Sequence, residues 1–273
     1  MDTHRHSGAA KPVDPRLGHW LRAVRRSISV EQLGLAVRER RRSPQLTQVE
    51  VARLAGVTPR AYQGIEQGSR RPGTRVLKGI TTALRLNPAQ VTYMRLLSDP
   101  DRPSVMPRLP TAEIRRLLDN LSCPAVAYDH TWRILASNVS FQAALPLAGH
   151  TNLLLWYFLA SQARQRFLDW HAEAHQLVAR FRMIQAHFCD TKPFAHVINR
   201  LRTDPYARQL WDHGVDVSDE PTSRTYRLRT DAGSCTRTVL QLRPVDTSPT
   251  LRVAVCLPEE PATRPDGTQG RAG

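Results

Sequence analysis

The sequence predicts an α + (α+β) protein in two parts: a five-helix N-terminal domain over 17–98, and a C-terminal domain over 111–257 built as an antiparallel sheet covered by helices. Three observations predict it. A chain of 273 residues is long enough for two cores, at roughly 150 residues per domain. Apolar residues recur with helical spacing between cap signals up to Leu97, whereas short strand-like runs and turn signals appear from Pro124 onward. Between the two patterns, Ser98 to Pro110 holds four prolines in 13 residues, which prevents a helix from continuing and favours an extended connection over 99–110. Residues 1–16 are expected to form a flexible N-terminus and 258–273 a disordered tail with little apolar content.

The formal net charge is +15, and it is unevenly divided. Residues 1–100 carry 18 Lys+Arg against 7 Asp+Glu, while the remainder carries 21 against 17. That balance favours a polyanionic partner, nucleic acid or an acidic membrane surface, and places it on the N-terminal part. The longest apolar run, Leu153 to Ala160, falls well short of the roughly 20 residues that cross a bilayer. No apolar h-region follows the polar start at Met1-Asp2-Thr3-His4, so a cytoplasmic chain without a membrane partner is expected. Cys123, Cys189, Cys235 and Cys256 form no C-x-x-C pair, which argues for reduced, mostly buried thiols rather than a zinc or disulfide framework.

The N-terminal helices follow in order. Leu17, Leu21 and Val24 give the inward stripe of a first helix over 17–26. Residues 27–46, with the run Arg38-Glu39-Arg40-Arg41-Arg42, are either an arm or an extra helix. Thr47 and Glu50 make a capping box, Val51, Leu54 and Ala55 a buried stripe, and Gly56 a left-handed stop. Thr58 caps the next helix, with Pro59 in its first turn. Ala61 and Ile65 point inward, and Arg60, Gln63 and Gly64 outward. Two short helices about a glycine turn are what a helix-turn-helix needs to lay its second helix in the major groove. Val76, Leu77, Ile80 and Leu84 mark a supporting helix over 72–85, and Asn87-Pro88 starts another that buries Val91, Met94 and Leu97.

Residues 47–72, with T-Q-x-E-x-A-x-x-A-G-V-T, I-E-Q-G and R-P, resemble the helix-turn-helix of the lambda-repressor-like, xenobiotic-response-element family of transcription regulators. The resemblance implies a double-stranded DNA partner and a homodimer on a two-fold operator. It puts Thr47 and Gln48 near the phosphate backbone or an outer base, and Thr58, Pro59, Arg60, Tyr62 and Gln63 at the recognition helix. Arg70 and Arg71 would meet phosphates. Gly64 stands where relatives often carry a base-reading side chain, so readout rests mainly on Arg60, whose fork suits guanine O6 and N7.

In the C-terminal part, Ala125 to Asp129 and Trp132 to Asn138 read as strands about an Asp129-His130-Thr131 turn. Helical patterns then run over 151–158, 161–188 and 193–211, and strands return over 224–230, 235–243 and 251–257. This order resembles a PAS-like sensor, and together with the N-terminal motif it resembles the MmyB-like transcription regulators of actinobacteria and their relatives. The cues are Trp132-Arg133-Ile134-Leu135-Ala136-Ser137-Asn138, the segment from Asn152 to Trp170, and Leu210-Trp211. Relatives often carry Leu-Trp-x-x-His-Asp-Val where this chain reads Leu210-Trp211-Asp212-His213-Gly214-Val215, so no role is carried over to that histidine. The resemblance implies a cavity for a small, largely apolar, acyl-like ligand, with Trp132, Trp156, Phe158, Trp170 and Trp211 as candidate walls. The same rings also suit plain core packing, and a ligand-free dimerisation or protein-interaction module is the alternative reading.

His171 and His175 sit at i, i+4, a zinc-compatible spacing, but no third ligand is evident and Glu173 is one place late for H-E-x-x-H. Asp129, His130 and Ser137 lack a G-x-S-x-G elbow. With no phosphate loop or dinucleotide fingerprint either, the expectation is a non-enzyme without metal or cofactor.

Overall fold

A computed structural model describes residues 13–34, 44–99, 111–188, 192–219, 221–230, 233–242 and 251–257. The arginine run at 38–42, the connection from 100 to 110 and the segment after 257 lie outside the described residues.

Local capping chemistry sets the first helices. Helix α1 (Pro15–Ser27) begins two residues before the expected Leu17, because the Asp14 carboxylate accepts from Arg16 N and Pro15 fills the first turn. A single 3-10 turn, Glu31–Leu33, follows, and Ser29 bridges to Gln45. Helix α2 (Gln48–Leu54) opens on the Thr47–Glu50 capping box. Gly56, at φ 67°, turns the chain toward α3 (Pro59–Glu66), which Thr58 caps. Helix α4 (Thr74–Ala83) comes next, and α5 (Pro88–Ser98) opens on a second capping box between Asn87 and Gln90.

The chain continues through α6 (Thr111–Asp119), β1 (Ala125–Tyr128), β2 (Ile134–Ser137), α7 (Val139–Ala144), α8 (Leu153–Leu159) and α9 (Ser161–Arg166). Then come α10 (Trp170–Ala186), α11 (Lys192–Leu201), α12 (Pro205–His213), β3 (Ser223–Thr230), β4 (Gly233–Leu242) and β5 (Arg252–Cys256). Two of the expected long helices are each broken. The stretch 161–188 opens at Phe167, which bridges to Leu228, and Asp169 beside it pairs with Arg227. The stretch 193–211 breaks at Asp204, whose carboxylate caps α12 by accepting from Ala207 N ahead of Pro205.

The strands form one five-stranded antiparallel sheet in the order β2-β1-β5-β4-β3. Strand β1 is buried at all four residues, consistent with its central position between β2 and β5. Ile114 and Leu118 of α6 pack with Ala125, Ala127, Val253 and Val255. Among the described residues Cys123, Cys235 and Cys256 are free thiols, half-buried rather than buried as the sequence suggested.

The chain divides into two compact units, one formed by 1–106 with 173–220 and the other by 107–172 with 221–273. A boundary at 99–110 alone would assign α10 to α12 to the C-terminal domain; in the structure 173–220 clusters with the N-terminal helices. In the first unit Met183, Ala186 and Val217 share a core with Leu17, Leu21, Ile65 and Met94. Trp20 Nε1 donates to the Val215 carbonyl at 3.1 Å, and Arg16 donates to the carbonyls of Gln185 and Phe188, both at 3.1 Å.

Backbones touch where glycines allow it. A Cβ on Gly79 of α4 would lie 2.2 Å from the Ala55 carbonyl oxygen at the end of α2, and one on Gly18 of α1 would lie 2.3 Å from that of Glu66. Alanine is the better helix former by about 1 kcal/mol, yet the clash falls on backbone, so Gly79→Ala is expected to destabilise by about 1–3 kcal/mol. Denaturant unfolding checks this, and an unchanged or raised midpoint would contradict the α2–α4 contact.

Candidate nucleic-acid interface

The glycine turn brings α2 and α3 together, and burial decides which side chains of α3 remain outside. Thr58, Pro59, Arg60 and Gln63 are exposed along its start and outer face. Tyr62 does not join them. It was expected at the DNA surface, but it is fully buried. Burial, with the Glu66 carboxylate beside it, pushes the phenol far above its ordinary value. The inward face runs through Tyr62, Ile65 and Glu66, with Ala61 only half-buried, so Tyr62 is withdrawn from the interface.

Glu66 anchors the back of this surface. Its carboxylate accepts from Arg25 Nε at 2.7 Å, Arg25 Nη2 at 3.1 Å and Gln48 Nε2 at 2.7 Å, and Arg25 Nη1 donates to the Leu46 carbonyl at 2.8 Å. Burial works to raise the Glu66 carboxyl, but the bonds from Arg25 and Gln48 outweigh it and hold the group below the usual glutamate value. One carboxylate thus ties α1, α2 and α3 together and fixes Gln48 at the start of α2. Thr47 is exposed, with its hydroxyl and amide engaged by Glu50 in the capping box.

Beside this anchor lies an open cleft of about 590 Å³, lined by Arg22, Arg25 and Arg26 of α1 together with Gln45, Thr47, Gln48 and Gln67. Arg22 and Arg26 are absent from the sequence-derived site, although their i, i+4 spacing on the first helix was a usable signal. The loop after α3 explains Gly64. Its carbonyl accepts from Ser69 N at 2.9 Å and Arg70 N at 3.1 Å. A Cβ at Gly64 would come within 3.2 Å of Arg70 Cβ and Ser69 Oγ. Glycine there lets the loop fold onto the helix, and leaves Arg70 and Arg71 exposed at its end.

Three of the candidate ligand-wall residues come together. Tyr157 stacks on Trp170 with centroids 5.6 Å apart, Phe158 meets Trp170 edge to face at 5.6 Å, and Trp156 meets Phe167 at 6.3 Å. Their polar atoms are spent internally, Trp170 Nε1 on the Tyr157 carbonyl and Trp156 Nε1 on that of Pro146. Trp132 is buried against Tyr128 in a left-handed conformation, φ 65°. Trp211 is only half-buried and belongs to the first compact unit, where it packs on Phe181. His171 and His175 are both exposed, and among the described residues no three His, Cys, Asp or Glu side chains are placed to hold a metal ion.

A family model for the MmyB-like transcription regulator ligand binding domain matches residues 110–265, and a helix-turn-helix domain model matches 32–93. The chain belongs to the MmyB-like transcription regulators. Among curated proteins nothing matches it. As an MmyB-like regulator it is a DNA-binding transcription regulator, with its helix-turn-helix carried by α2 and α3. No described helix of this MmyB-like regulator is long and apolar enough to cross a membrane.

Proposed function

We propose that this regulator acts in the cytoplasm as a homodimer that binds a two-fold operator sequence, with the start of α3 in the major groove of each half-site. The reading rests on one observation: Thr58, Pro59, Arg60 and Gln63 are exposed together on α3 while the arginine-lined cleft opens between α1 and the start of α2. Arg60 reads a guanine edge, and Gln63 contacts a neighbouring base or the backbone. Thr47, Gln48, Arg22, Arg26, Arg70 and Arg71 hold phosphates, which positions the helix without reading sequence. A dimer is needed because one short helix spans too few base pairs. The C-terminal region, PAS-like in its sheet and flanking helices, receives a small apolar ligand, with Trp132, Trp156, Phe158 and Trp170 around it, and performs no catalysis; Trp211, which packs on Phe181 in the first unit, is left out of that wall.

Selection of bound sequences from a randomised duplex pool at physiological salt tests the core of this reading. Recovery of a two-fold motif is the expected result; no enrichment over random DNA would overturn it. On the selected operator, Arg60→Ala is expected to cost about 1–3 kcal/mol and relax preference at one base position. Arg70→Ala should weaken operator and random DNA alike and reduce the salt slope by about 1. Equal losses on both DNAs for Arg60→Ala would remove Arg60 from base readout.

A further inference from the structure

Two of the buried arginines of the first unit, Arg25 and Arg182, are accommodated in different ways. Arg25 has the Glu66 carboxylate. Arg182, on α10, is only 6% exposed, and its hydrogen bonds go to neutral backbone oxygens: Leu210 at 3.0 Å, Trp211 at 3.1 Å, and Asp216. Those three bonds leave part of its fork of N–H donors open, and its charge is met only in part, by the Trp211 ring with its centroid 5.3 Å from Cζ and by the exposed Asp216 carboxylate. Burial lowers the pKa of this guanidinium despite the attraction of Tyr93 and Asp216, the direction expected where the charged form is only partly compensated.

Arg182 forms part of the wall of a crevice of about 190 Å³ between α10 and the end of α12. Val178 and Leu210 are its other buried lining residues, while the exposed His175, Gln209 and His213 bring hydrogen-bonding groups to its rim. A cationic fork in the wall, polar groups at the mouth and short apolar walls together make a place for a small anion rather than a neutral or cationic molecule.

We propose that the crevice between α10 and α12 is a binding site for a small oxyanion, a carboxylate or phosphate group seated against Arg182 and contacted from the rim by His213 and Gln209. The exposed Asp216 side chain also lines the crevice and opposes the anion, which keeps affinity modest. The site abuts the segment whose Val215 carbonyl holds Trp20 of α1. It adds to the regulator reading a second ligand class, different in chemistry from the apolar one.

The test is calorimetric titration of the full chain, without DNA, with sodium acetate and separately with inorganic phosphate at constant ionic strength. Saturable binding of at least one is expected, and which of the two saturates tells carboxylate from phosphate. Asp216→Asn should tighten it about threefold and the double variant Gln209→Leu/His213→Leu weaken it about fivefold or more. Arg182→Met should abolish it; should that variant fail to fold, the rim and Asp216 variants decide. No saturable heat with either anion, or identical affinities in the Asp216 and rim variants, would overturn the proposal. Because no DNA is present, its failure leaves the operator reading intact, and failure of operator selection leaves this one intact.

Discussion

Glu66→Ala is expected to destabilise the protein by about 3–5 kcal/mol, the largest single effect of any substitution considered, because it leaves the Arg25 guanidinium buried without its carboxylate. The donors of Gln48 and Arg25 lose their acceptor in the same step. Guanidinium unfolding at neutral pH reads this directly; a loss below about 1 kcal/mol would mean that the pair contributes no more than a surface ion pair does. The pair also predicts an acid dependence. The Glu66 carboxyl is depressed in the folded protein, so its stabilisation is fully present above the unfolded glutamate value of about 4.3 and is lost as pH falls through the folded value. Wild-type stability should therefore drop through that acid range while Glu66→Gln stays flatter. Parallel curves would remove Glu66 as the titrating group.

Asn138→Ala is expected to cost about 3 kcal/mol or more, and its effect falls in the second compact unit. The buried Asn138 amide donates to the carbonyls of Leu118 at 3.2 Å, Leu121 at 3.0 Å and Cys123 at 2.8 Å. Its oxygen accepts from Ala125 N at 3.0 Å and Phe141 N at 2.9 Å. One side chain thus closes the end of α6, starts β1 and caps α7, and alanine would strand several buried backbone groups at once. Asn138→Asp keeps the acceptor but aims negative charge at three carbonyls, so it should be no better than alanine. Rescue by aspartate, measured as the unfolding midpoint, would show that capping of α7 alone accounts for the effect.

These two anchors show what a sequence can disclose. Thr47 with Glu50, Thr58 with Pro59, Gly56 and Asn87 were all legible, because a cap or a left-handed turn is decided within three or four residues. Asn138 was legible as the end of the strand-like run from Trp132, but not as a partner of Leu118. Tyr62 was misplaced because α3 turns its Tyr62–Glu66 face toward α1, a choice made by Arg25 and Glu66, 41 residues apart. The break at 167–169 depends on Leu228 and Arg227 and leaves no local trace. The break at Asp204-Pro205 did carry a cap signal, and it could have been read.

The way residues 173–220 fold back among the N-terminal helices sets a rule for cutting and recombining this chain. Met183, Ala186 and Val217 share the apolar core of the N-terminal helices on the side of α1, where Val215 holds the Trp20 indole. A fragment ending near Asp99 would bare that side to water and invite self-association. Exchange of sensing regions between relatives at the proline-rich segment would likewise graft a foreign patch onto α1. A working hybrid has to carry its own α1, or import α10 through α12 together with the helices that they cover.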